Sequence, residues 1–170
     1  MSGLFGQSEK VNNILFAGIL ILFALSLFLL SGIFALGDLL NVRFESDVIR
    51  LSYSLSTFLT IFLWLFGSII FGYVSKSPKK AFLLGFLIWT GFLLFSVIKA
   101  ILGSDTPTYD SIMIFYFING IVNGSAGYFA AVDSSDKNKR IQYWLISLAL
   151  FLVSIGLFFV IALIGFSRAF

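Results

Sequence analysis

The sequence predicts an all-α fold, a polytopic integral membrane bundle of five transmembrane helices. Three observations predict it. The chain is 59% hydrophobic, with a mean hydropathy of +1.05. Only 11% of its residues are charged, where a soluble domain carries about 25%. Those charges gather in short clusters and leave five long apolar runs between them, each long enough to cross about 30 Å of hydrocarbon. The 170 residues suit one transmembrane domain over 1–170, because no linker is long enough to separate two.

The first predicted span covers 11–40. No charge falls between Val11 and Gly37, a run much longer than the apolar core of a signal peptide, so the segment is expected to be retained. A short loop with Arg43, Glu45 and Asp47 leads to the second span, 52–74. The basic turn Ser75–Lys80 follows, with Pro78 expected to stop the helix. The third span covers 81–102, and a turn containing Pro107 leads to the fourth, 109–132. A second basic turn, Asp133–Arg140, precedes the fifth, 141–166.

Lysine and arginine set the expected orientation. Lys10, Lys76, Lys79, Lys80, Lys137, Lys139 and Arg140 fall on one side, against Arg43, Arg50, Lys99 and Arg168 on the other. The first side is expected to be cytoplasmic, which places the N-terminus inside and the C-terminus outside. Tyr53, Tyr73, Tyr109, Tyr128, Tyr143 and Trp144 fall near span ends, where amphipathic rings settle; Trp64 and Trp89 fall mid-span and report packing or lipid contact instead.

The fourth span differs from the rest. At about 100° per residue, Gly120, Gly124, Gly127 and Ala131 align, with Asn119, Asn123, Ala126 and Ala130 beside them. Ile118, Ile121, Val122, Phe129 and Val132 occupy the other face. Gly120-x-x-x-Gly124 is a spacing that lets helix backbones approach closely. Two side-chain amides in hydrocarbon are costly unless they find partners. In the second span, Ser56, Thr60 and Gly67 share a stripe with Ser52, with Thr57, Trp64 and Ser68 at its margin. This stripe is the natural counterpart of the asparagine face, although serine and threonine also return their hydroxyls to the preceding turn. The pair of faces fits two readings: a helix-packing surface with interhelical hydrogen bonds, or the lining of a polar pathway. A loose echo between Gly67-Ser68…Gly72-Tyr73 and Gly124-Ser125…Gly127-Tyr128 suggests a parallel repeat of a two-helix hairpin.

Few groups are equipped for chemistry. Cysteine and histidine are both absent, which removes thiol catalysis, the commonest general base and the commonest metal ligands. No phosphate loop, nucleophile elbow or His-Glu-x-x-His motif is present. The carboxylates lie in loops or at span ends, and no two pair at helical spacing within a span. Asp38 and Lys99, near the outer interface, are expected either to form an ion pair or to snorkel separately to water. No basic patch suits nucleic acid.

The expected function is therefore non-catalytic: a multi-pass protein of the cell (cytoplasmic) membrane that serves as an accessory or assembly subunit. Its expected partners are the lipid bilayer and other membrane subunits or copies of itself, with no cofactor, no metal and no nucleic acid. The alternative is a small-solute transporter or channel component, its neutral pathway between the second and fourth spans lined by Asn119, Asn123, Ser56 and Thr60.

Overall fold

The computed structural model describes the backbone of residues 9–40, 47–102 and 110–167, with side chains for 9–27, 51, 54–91, 93, 114–160 and 163. The described residues are almost entirely helical and include no strand: α1 Glu9–Leu40, α2 Asp47–Ser75, α3 Pro78–Leu102, α4 Asp110–Ala131 and α5 Lys137–Ser167. Among the described residues, three stretches are long and apolar enough to cross a membrane, Glu9–Leu27, Ser54–Ser75 and Lys137–Val160.

Several helices begin earlier than the apolar runs do. Charged residues stop a hydropathy run without stopping a helix, so α2 starts at Asp47 and α5 at Lys137. The turn between α2 and α3 corrects the role expected of Pro78, which opens α3 rather than ending α2. Lys76 ends α2 by adopting φ 51°, a left-handed cap, and its N–H donates to the Gly72 carbonyl at 3.0 Å. The Ser77 carbonyl then accepts the first α3 bond, from Ala81 N–H at 2.9 Å. Pro78 sits at the first helical position, where its missing N–H costs nothing. At the start of α5, Asp136 caps the helix: its Oδ1 accepts from Asn138 N–H at 2.9 Å and its carbonyl from Arg140 N–H at 3.0 Å.

α4 is the centre of the packing. It lies against α3, α5 and α2; α1 packs on α2 and touches α3; α2 also packs on α3. Among the described residues, the α1 backbone approaches neither α4 nor α5. The first turns of α1 are tied to the α2–α3 turn. Asn12 Nδ2 donates to the Ser75 carbonyl at 3.1 Å, and Lys80 Nζ donates to Asn13 Oδ1 at 2.7 Å while lying 3.6 Å from Glu9.

At the core, α2, α3, α4 and α5 each contribute a ring to one aromatic cluster. Trp64 of α2 stacks on Trp89 of α3, with centroids 4.7 Å apart and planes 20° apart. Tyr116 of α4 stacks on Trp64 at 5.8 Å, and Phe158 of α5 makes a T-shaped contact with Trp64 at 5.9 Å. Both tryptophans are thus packing residues, buried in the core.

Candidate functional site

Next to this aromatic cluster is a buried polar seam joining α2, α4 and α5. Its centre is Asn123, which is fully buried. Both amide N–H groups have acceptors: the Leu65 carbonyl of α2 at 3.0 Å and Ser154 Oγ of α5 at 3.3 Å. Its Oδ1 accepts from Ser68 Oγ of α2 at 2.6 Å, and that hydroxyl also lies 3.0 Å from the Asn123 main-chain carbonyl. One side chain therefore bonds to three groups on two other helices. In an apolar interior this pairing avoids the cost of an unmet amide, about 1–3 kcal/mol per orphaned group.

Asn119, one turn earlier, is also fully buried. Its Nδ2 donates to the Ser154 carbonyl at 3.1 Å, whereas its Oδ1 has no partner among the described residues. Ser154 thus serves both asparagines, one through its hydroxyl and one through its carbonyl. Two turns earlier on α5, Ser147 Oγ donates to the Ala126 carbonyl of α4 at 2.8 Å. Serines 147 and 154 are seven residues apart and so lie on one face of α5. The sequence reading missed this polar row; its signal was two serines in register within an otherwise apolar run.

Glycine lets the backbones come this close. A Cβ at Gly124 would lie 2.7 Å from the Phe82 carbonyl oxygen of α3, and one at Gly127 would lie 2.8 Å from the Ser68 carbonyl oxygen of α2. A Cβ at Gly72 would run into the Gly127 carbonyl. Gly120 is less constrained, with Trp89 Cβ at 3.2 Å. On α3, Gly85 meets the Gly124 backbone and Ser68 Cβ. Ala81 and Gly85 repeat the small-x-x-x-small spacing on α3, a second signal that the sequence reading passed over.

The expected polar stripe of α2 divides. Ser68 faces Asn123, but Ser56 and Thr60 do not join it. The Thr60 hydroxyl lies 2.8 Å from the Ser56 carbonyl and 2.9 Å from Ser26 Oγ of α1. Helix geometry accounts for this: eight residues separate Thr60 from Ser68, which turns the two side chains about 80° apart. Thr60 points to α1 and Ser68 to α4. The pairing expected between Asp38 and Lys99 lies outside the described side chains.

Surface concavities lie near both basic turns. One, of about 510 Å³, is bounded by Glu9, Asn12, Tyr128 and the lysines of the α2–α3 turn. Another, about 610 Å³, lies between α2 and α5 with Lys137 and Arg140 at its rim. Among the described residues no cluster of three or more acidic, histidine or cysteine side chains is placed to hold a metal ion.

Fold and seam together define a class: an all-α helical bundle with apolar helices long enough to cross a membrane and a buried interhelical amide network. Beyond that class, the chain matches no protein-family model, no curated protein and no solved structure.

Proposed function

We propose that this chain is a five-span integral protein of the cytoplasmic membrane, N-terminus inside and C-terminus outside. In this reading it acts without catalysis, as an accessory or assembly subunit that packs against other membrane proteins or copies of itself. One observation carries the reading. The side-chain amide of Asn123, on the inner face of α4, is taken up entirely by groups of α2 and α5, at points where Gly72, Gly124 and Gly127 bring backbones into contact. A solute pathway needs polar groups free to exchange partners with the solute; here Asn123 has none to spare.

Lipid and protein partners would both meet the outer apolar faces. Leu145, Leu148, Leu152 and Phe159 of α5 are exposed, as are Leu55 and Phe58 of α2. Exposed apolar area on this scale suits a hydrocarbon surround or a partner helix.

The alternative, a neutral solute pathway between α2 and α4, draws its support from one atom, the unpartnered Asn119 Oδ1. Cross-linking in native membranes before mild detergent extraction separates the two. The assembly reading predicts a defined species larger than the 18.9 kDa chain on native electrophoresis. A strictly monomeric, partnerless protein would count against it.

A further inference from the structure

We propose that the groove between α2 and α5 is a binding site for one anionic glycerophospholipid, with its phosphate at Lys137 and Arg140 and an acyl chain lying along the trough below. The proposal rests on the membrane reading above.

Its first support is the chemistry of the groove along its length. Lys137 and Arg140 line one end, and the rest of the wall is almost wholly apolar, including Ile69, Leu148 and Phe151. The lining hydroxyl, Ser147, already donates to Ala126 and adds no free polarity. Neither cation forms an ion pair among the described residues, and the adjoining carboxylate, Asp136, is engaged in capping the helix at Asn138 N–H. A cationic end joined to an apolar trough complements a molecule that is anionic at one end and hydrocarbon at the other.

The second support is register. α2 and α5 are bridged by two aromatic contacts, Tyr73 with Trp144 at 5.4 Å and Phe66 with Phe151 at 5.0 Å. Tyr73 and Trp144 are both partly exposed, as rings at a membrane–water boundary are. This places Arg140, one turn beyond Trp144, at headgroup level. From Arg140 to Phe151 the helix rises about 16 Å, and one leaflet of hydrocarbon is about 15 Å deep. The trough therefore runs the depth of a single leaflet, the reach of one acyl chain. Its volume of about 610 Å³ lies within the ordinary range for small-molecule sites.

The test begins with alkaline extraction of membranes. Release of the chain into the soluble fraction would overturn the membrane reading and the lipid site with it; retention in the membrane isolates the question of the site. Purified protein is then titrated with phosphatidylglycerol or phosphatidylcholine, and bound lipid is counted by native mass spectrometry. The wild type should prefer phosphatidylglycerol. Each of K137Q and R140Q should cut that preference about fivefold, the effect of one basic residue near an anionic surface. L148W, which fills the trough and keeps both cations, should weaken binding of the same lipid. K76Q/K79Q, at the other basic turn, should leave the preference intact. Equal binding of the two lipids by the wild type, or a preference that follows Lys76 and Lys79 instead, would overturn the proposal. Efficient self-cross-linking of L148C in lipid vesicles would also overturn it, since a second copy would then occupy the groove.

Discussion

Ser68 Oγ donates to Asn123 Oδ1 at 2.6 Å, and that single contact joins α2 to α4 at a point where both side chains are fully buried. Among the interhelical side-chain bonds of the seam it is the shortest.

The pair should be coupled. Hydrogen bonds between membrane helices average about 0.6 kcal/mol in double-mutant cycles and reach about 1.7. For S68A, N123A and the double variant, thermal unfolding in detergent should give a coupling energy toward the upper end of that range. Strict additivity would mean that the bond does not contribute.

The two asparagines should differ in cost. Asn123 satisfies both N–H groups and its oxygen; Asn119 makes one bond and leaves Oδ1 unmet. Replacement by leucine breaks three bonds at position 123 but only one at 119, where it also removes an orphan acceptor. N123L should therefore destabilise by roughly 2 kcal/mol more than N119L, given a cost of about 1–3 kcal/mol per buried group left unpaired. Equal melting temperatures for the two variants would refute the asymmetry.

Gly127 should tolerate no side chain. A methyl there meets the main chain of Ser68, which cannot swing aside as a flexible side chain would. G127A should cost about 1–3 kcal/mol, the usual range for overpacking. G18A and G156A should be harmless by comparison, since an added Cβ meets nothing at either position. Melting temperatures of the three variants in one detergent decide this.

Lys76 should be replaceable by glycine at little net cost but not by a β-branched residue. It holds φ 51° where glycine is the usual occupant, and relief of that strain is worth about 1 kcal/mol. Against this, K76G removes the ammonium group that lies 4.5 Å above the Tyr73 ring, an exposed cation–π contact worth about 0.5–1 kcal/mol. The net change in K76G should be small, whereas K76V should lower the melting temperature clearly, because a β-branched residue fits that backbone worst.

The sequence made some of this legible and hid the rest for identifiable reasons. Helix periodicity placed Asn119, Asn123, Gly120, Gly124 and Gly127 on one inner face, because two amides and three glycines stand out in an otherwise largely apolar helix. Their partners were harder to find. A hydroxyl side chain in an apolar helix is ambiguous: Thr90 returns its hydroxyl to Phe86 of its own helix at 2.8 Å, while Ser147 crosses to α4. Periodicity cannot separate the two. The split of the α2 stripe between α1 and α4 depends on how three helices are arranged in space, which no single helix encodes. Charge marked the ends of apolar runs rather than the ends of helices, so Asp47 and Lys137 fell outside the predicted spans although they begin α2 and α5.

The central claim is that the interior is a closed seam whose amides bond to the protein rather than to water. The cysteine-free sequence allows a direct measurement: single cysteines at Asn119, Asn123, Ser68 and, as an exposed control, Lys139, treated with a membrane-impermeant thiol reagent in inside-out membrane vesicles, which present the side proposed as cytoplasmic. The account predicts rapid labelling at 139 and uniform protection at 119, 123 and 68. Labelling of 119 or 123 at a rate near that of the control, slowed by a competing solute, would contradict it and establish a water-filled path in place of the seam.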